Sequence, residues 1–296
     1  MTLVVPWPAG GASDFAARAL STELETLLGQ TVIVENAPGA GGSLGVAKAL
    51  RAAADGHTLI LSSPLDVVLA PLIYPAAGFT TQDTRAVALL GRADLMLVTR
   101  PDLGLQSMAE LVAALKASPD KPLSYCAMSS GSPQHLIGQR LSAVTGVKLL
   151  EVPYSGMPDC IKNLIGGQID LAFLPIGGPF PALVAQGRIK AIASLGVARH
   201  PRLPMLPLAA ETPGFEGVSL SFWGGLHVHA QVPEAAVLRL HEAAKAALQS
   251  PAFRQAMEST GVTLYEPMNL AQAQEAHLQT VRLYQAMLQA PSARRP

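Results

Sequence analysis

Charge is scarce in this sequence. Of its 296 residues, 14% are Asp, Glu, Lys or Arg, with 21 basic and 21 acidic side chains and a formal net charge of zero. The only basic cluster that stands out is Arg294-Arg295, so the electrostatic footprint of a nucleic-acid binder is missing. Long apolar runs are absent too. None reaches the roughly 18 to 20 residues that a bilayer-spanning helix needs, and the chain is expected to be soluble. The N-terminus lacks the basic and apolar regions of a secretory signal, and Met1 leads directly into a first core strand, Leu3 to Val5. Cysteine is limited to Cys126 and Cys160. Two unpaired, half-buried thiols are the simpler expectation, because neither spacing nor context demands a disulfide, although one remains open.

What the chain does have is apolar surface to bury. Apolar residues make up 49% and mean hydropathy is +0.31, which fits a globular protein and not a disordered one. The length suits two lobes of ordinary size. Short β-branched runs alternate with Ala- and Leu-rich segments. Strands are predicted at Thr31 to Glu35, His57 to Leu61, Ala86 to Leu90, Leu95 to Thr99, Leu123 to Ala127, Lys148 to Val152, Ile169 to Phe173 and Ile189 to Leu195. The first helix is expected from Ser13 or Asp14 as N-cap to Gly29, with Leu20, Leu24, Leu27 and Leu28 on one stripe. Further helices read at Ser43 to Ala53, Ser107 to Ala117, Pro133 to Thr145, Pro158 to Ile165 and Pro179 to Gln186. From Pro233 onward three helices follow one another, with few strands. The alternation predicts an α/β fold with mostly parallel, buried sheets.

In such sheets ligands sit beyond the carboxyl ends of strands, where amides of the next helix are unpaired. Four junctions carry suitable chemistry: Pro6 to Asp14, Ser62 to Asp66, Ala127 to His135 and Pro153 to Asp159. Each combines Gly, Pro or small hydroxyl residues, and none contains Lys or Arg. An anion there would be held by amides, helix N-terminal partial charge and Ser hydroxyls, which suits a carboxylate that must be released. Other motifs fit less well. Pro38 to Gly45 (PGAGGSLG) misses the dinucleotide register, because the third glycine position falls on Leu44, and no GK[ST] follows. Ser43 satisfies G-x-S-x-G formally, but a flexible Gly-Ala-Gly separates it from its strand. Ser132 and His135, three apart at a helix start, read as cap or ligand contacts before nucleophile and base. His227 and His229 share a strand face without a third metal ligand. Asp170 reads as structural.

Eight segments in order now point one way: VVPWPAGGASD (from Val4), VENAPGAGGSLG (from Val34), ADGHTLIL (from Ala54), SSGSPQHL (from Ser129), VPYSG (from Val152), LIGGQIDLAF (from Leu164), HPRLPMLP (from His200), and TPGFEG with SFWGGL (from Thr212 and Ser221). Across nearly its whole length the chain resembles the Bug receptors, the TctC-like substrate-binding proteins of tripartite tricarboxylate transporters. The resemblance implies a periplasmic-binding-protein type II-like fold: two α/β lobes, residues 1–99 with 216–296 and residues 100–215, closing by hinge motion over a ligand cleft. It implies capture of a small organic carboxylate for the membrane subunits of a transporter. No catalysis, cofactor or metal would be involved, and the receptor would act as a monomer in the periplasm. Carried over position by position, Ala9, Gly10, Gly11, Ala12, Ser13 and Asp14 would form one jaw. Ser129, Ser130, Gly131, Ser132 and His135 would form the other. Ser62 and Ser63 would line the first lobe, Pro153, Tyr154 and Ser155 the second, and Trp7 with Phe173, Leu174 and Pro175 would wall the pocket.

The departures bear on specificity. The family commonly has Gly and Asn where this chain has Ser129 and Ser130, Lys or another polar residue at Ser155, and Asp at Leu174. The far end of the pocket is therefore expected to be less charged, favouring a ligand with one firmly held carboxylate and a less polar remainder. The family's proteins are exported, so the absent signal implies a truncated start. A cytoplasmic ligand-sensing paralogue, or a hydrolase using Ser43 or Ser132, is the alternative.

Overall fold

The computed structural model describes residues 1–128, 132–154, 157–177, 179–216, 221–260 and 262–289. The chain begins β1 (Thr2–Val5), α1 (Ala12–Leu28), β2 (Ile33–Asn36), α2 (Ser43–Leu50), β3 (Thr58–Ser62), α3 (Ala70–Ile73) and β4 (Thr84–Thr99). It continues α4 (Met108–Ala117), β5 (Ser124–Ala127), α5 (Pro133–Thr145), β6 (Leu150–Pro153), α6 (Met157–Ile165), β7 (Leu171–Pro175), α7 (Phe180–Ala185) and β8 (Lys190–Ser194). It closes with β9 (Ser221–His229), α8 (Glu234–Gln249), α9 (Pro251–Thr260), β10 (Thr263–Leu264) and α10 (Leu270–Gln289). No described helix is long and apolar enough to cross a membrane.

Two compact units result, Met1–Arg92 with Trp223–Pro296, and Ala93–Phe222. The division falls inside β4, which is one strand of 16 residues where two were predicted. Gly91 and Arg92, between the two predicted strands, pair with β10, Gly91 with Leu264 and Arg92 with Thr263. A Cβ on Gly91 would lie 2.7 Å from the Thr263 carbonyl oxygen, so glycine permits the approach.

The first unit has strand order β2-β1-β3-β9-β4, with β10 on β4. β1 runs parallel to β2 and β3, and β9 runs antiparallel to β3, with Ile60 opposite His227. The sheet is mixed, not mostly parallel, because β9 returns from the second unit instead of completing a helical crossover. In α1, Ala16, Ala17, Leu20, Leu24 and Leu28 recur at three- and four-residue spacing and bury against Leu3, Val5, Leu59, Leu61 and Phe253. Leu27 lies at the edge of that stripe and is 44% exposed.

The second unit has strand order β8-β4-β7-β5-β6, with β4 antiparallel to β7 and β8 and the remaining pairs parallel. Leu95 and Leu97 enter one core with Leu171 and Phe173, while Met96 and Val98 enter another with Ala172 and Leu174. Both sheet faces are therefore covered, which accounts for the unbroken apolar run Leu95 to Val98. Cys126 of β5 and Cys160 of α6 form a disulfide with Cα atoms 6.1 Å apart. This corrects the expectation of unpaired thiols: α6 packs on the sheet face that Cys126 points from, which sequence separation alone does not reveal.

Candidate functional site

In the first unit Pro6 ends β1, and the loop to α1 is tied down from beneath. The Trp7 indole N–H donates to Asp66 Oδ2 at 2.8 Å, and Asn36 Nδ2 donates to the Trp7 carbonyl at 3.0 Å. Asp66 is fully buried and also accepts from the Ser63 amide at 2.9 Å and the Ser63 hydroxyl at 3.1 Å. Burial pushes its carboxyl up to about 7, against the pull of these donors. The turn at Gly41-Gly42 packs over it. Gly42 has φ 91°, and a Cβ there would lie 2.5 Å from Asp66 Cβ.

Beyond Trp7 the loop is exposed from Pro8 to Ala12. Gly10, at φ 80°, turns its N–H toward Asp14 Oδ2 at 2.9 Å, and Arg18 Nε reaches the same oxygen at 3.1 Å. Burial opposes ionisation of Asp14, but Arg18, the Gly10 amide and Asn36 outweigh it and hold the carboxyl below its usual range. Asp14 thus shapes the loop, while the helix N-cap is Gly11 and not the Ser13 or Asp14 expected from sequence. Gly11 supplies no side-chain acceptor, so no side-chain cap hydrogen bond closes the first turn of α1.

Ser62 and Ser63 are engaged within the unit. Ser62, 4% exposed, places Oγ 2.6 Å from His227 Nδ1 and 3.2 Å from the Gly225 carbonyl. His227 Nε2 lies 3.3 Å from His277 Nδ1, and Trp223 stacks on His227 at 5.4 Å. Burial depresses both imidazoles, His277 to about 4, so the cluster is neutral. Ser43 is buried and donates to the Ala40 carbonyl at 2.8 Å.

In the second unit Ser132 is fully buried and caps α5, its Oγ accepting from the His135 amide at 3.3 Å. The His135 ring is clasped instead by Glu151 Oε2, 2.6 Å from Nδ1, and by Gln139 Nε2, 3.1 Å from Nε2. Tyr125 donates to the same Glu151 oxygen at 2.7 Å. Tyr154 is half-buried. Its amide donates to the Ala127 carbonyl at 2.9 Å and its hydroxyl accepts from Asn163 Nδ2 at 2.7 Å. Pro153 is exposed and Pro175 half-buried, whereas Phe173 and Leu174 have no exposed surface. Phe173 meets Tyr125 edge-on at 6.0 Å, and Leu174 lies in the Cys160 and Leu164 core, so both face packing partners. Ser129, Ser130, Gly131 and Ser155 lie outside the described residues. Asp170 accepts from Arg100 Nε at 2.8 Å and from the Ser124 amide and hydroxyl, a strand-pinning arrangement. Among the described residues no group of three or more His, Cys, Asp or Glu could hold a metal ion.

Sequence reasoning missed Asp66, Glu151, Asn163 and His277. Of these, Asp66 closes the SSPLD junction and carried a signal as its only charge.

The α/β scaffold agrees with the comparisons to known proteins. A model of the tripartite tricarboxylate transporter family receptor matches residues 16–290. The chain belongs to this receptor family. The receptor is 32% identical over 267 residues to protein BugT of Bordetella pertussis, a match covering 88% of this chain and 80% of BugT. Its structure superposes on that of the periplasmic binding protein BugD with a TM-score of 0.85 at 29% identity, covering 97% of this receptor and 96% of BugD. MatC of Rhodopseudomonas palustris, solved with bound malate, gives a TM-score of 0.85 at 26% identity over 98% of both chains. The receptor is a TctC-like solute-binding protein with the α/β fold of the type II-like periplasmic binding proteins.

Proposed function

We propose that this receptor captures a small organic carboxylate in a cleft between its two lobes and delivers it to the membrane subunits of a tripartite tricarboxylate transporter, without chemistry on the solute. The observation that carries the reading is the uncapped N-terminus of α1. That terminus follows an exposed loop that Trp7–Asp66 and Gly10–Asp14 contacts hold in shape, and no free cation is needed to attract a carboxylate there. Ala9, Gly11, Ala12 and Ser13 act through the backbone, and Asp14 positions them through the Gly10 amide while its own charge is compensated by Arg18. From the second unit, Ser132 at the start of α5 and Tyr154 are the described residues to which the reading assigns ligand contacts. MatC, of the same fold and family resemblance, was solved with malate, which supports a carboxylate as ligand.

The small, uncharged side chains at Ser129, Ser130 and Ser155 support a ligand with one firmly gripped carboxylate and a less polar remainder; Leu174, buried in the core, does not bear on that choice. A disulfide in the second unit favours an oxidising compartment, so we place the mature receptor in the periplasm rather than the cytoplasm. The hydrolase reading gains nothing from the geometry: the Ser43 hydroxyl is turned onto Ala40, and Ser132 bonds the His135 amide, not its ring.

The test is a thermal-shift and calorimetry screen with malate, adipate, citrate and benzoate. One or more acids should raise Tm, and Gly11→Leu, which blocks the amides, should abolish the gain. No shift with any acid, or citrate binding far more tightly than the others, would overturn the general and the narrower reading respectively.

A further inference from the structure

The disulfide joins β5 to α6, the two elements next in the chain to Ser132 and Tyr154, which the proposed function assigns to the ligand. Cys126 belongs to β5, which runs into the loop ending at the Ser132 cap. Cys160 belongs to the first turns of α6, directly after the loop that carries Tyr154. Both cysteines are fully buried. α6 is a helix of nine residues whose buried side chains are Cys160 and Leu164. A helix this short does not hold itself together in water, so its place depends on Cys160 and Leu164, on the partly buried Met157, Ile161 and Ile165 packed against the same core, and on the bond from Asn163 to the Tyr154 hydroxyl. Tyr154 is in turn fixed to β5 through the Ala127 carbonyl, one residue after Cys126. Strand, loop and helix thus form a closed ring of contacts in which the disulfide is the covalent member.

We propose that the Cys126–Cys160 disulfide is a latch that makes the second unit binding-competent, so that the receptor captures its solute in the oxidised form and the dithiol form does not. Latching requires a disulfide-bearing exchange partner. One cysteine thiolate attacks a partner sulfur, and the partner's other sulfur leaves as thiolate. The second cysteine thiolate then attacks the first cysteine's sulfur and releases the partner as a dithiol. Two electrons pass to the partner, and the two protons lost by the cysteines end on its thiols. In a reducing compartment the exchange does not run forward, so newly made receptor stays unable to retain solute until it meets an oxidant. Asn163 acts as a positioning residue in the same latch, through Tyr154.

This inference rests on the carboxylate-binding reading, and the experiment separates the two. The full chain is prepared oxidised, and reduced by refolding in dithiothreitol. Each form is titrated calorimetrically with malate, adipate, citrate and benzoate, and hydrogen exchange is followed in both. The reduced form should keep its far-ultraviolet circular dichroism and its exchange protection in residues 1–92. It should exchange faster at residues 150–165 and bind about tenfold or more weakly, because the Tyr154 segment is no longer preorganised. Asn163→Ala with the disulfide intact should weaken binding in the same direction with the same acid, and Asn163→Gln should restore part of it. Equal affinity of the two redox forms, unchanged exchange at residues 150–165, or unfolding of the whole second unit on reduction would each overturn the latch. If the oxidised protein binds none of the acids, the functional reading fails, and the exchange measurement still decides whether the disulfide orders the Tyr154 segment.

Discussion

Asp66 and the pair His227 and His277 titrate in opposite senses within one unit. Asp66 has a folded pKa of about 7 against an ordinary 3.8, so its contribution is fully present below about pH 4 and is lost as pH rises through about 7. The histidines are depressed, His277 from 6.5 to about 4, so the stability they support is lost as pH falls below 6.5. Urea titrations between pH 4 and 8, read by tryptophan fluorescence, should show this. Asp66→Asn should remove the decline on the alkaline side, and His277→Gln should flatten the acid side, each by up to a few kcal/mol. Gly42→Ala is expected to cost about 2 kcal/mol or more in the same assay, since an added Cβ meets Asp66 at 2.5 Å and φ is positive. None of these partnerships is readable from sequence. Gly42 and Asp66 looked like members of separate turns, and His277 lies 50 residues from His227.

At the scale of elements, legibility followed the range of the interaction. β1 and β3 announce themselves because β-branched runs encode a buried strand locally, and β2 carries the same β-branched signal although its Ile33 is 62% exposed. The helix at Pro133 to Thr145 was placed with its Ser132 cap because capping is a four-residue affair. The start of α1 was misread for an instructive reason: Ser13 and Asp14 are good caps, but Asp14 bends back to the Gly10 amide and leaves Gly11 in the cap position. The unbroken course of β4 depends on Thr263 and Leu264, far along the chain, and the disulfide depends on which sheet face α6 covers. The backbone of the proposed site was legible as glycine- and serine-rich junctions, whereas its supports, Asp66, Glu151 and Asn163, were not. Cys126→Ala/Cys160→Ala should destabilise the second unit by about 3–4 kcal/mol, for a chain separation of 34, in guanidinium titrations.

The whole molecule carries no net charge, and this has a kinetic corollary. On the proposed reading an anion is attracted by helix N-termini and not by a global field, so the association rate of a dicarboxylate should change little with ionic strength. Stopped-flow tryptophan fluorescence across a salt series would check this, and a steep fall in rate with salt would contradict it. Saturating ligand at about 100 times Kd should add roughly 2.7 kcal/mol to folding stability, visible as a raised Tm.

The antiparallel pairing of β3 with β9 sets a schedule for the nascent chain. Ser62 and its partner His227 are 165 residues apart, so at about 5–20 residues per second roughly 10 to 30 s of synthesis separates them. Throughout that interval β3 has an open edge and the first unit lacks α8, α9 and α10. The second unit, contiguous from Ala93 to Phe222, has all its strands before the first can close. A chain released early by the ribosome would therefore carry a complete second unit on an unfinished first one.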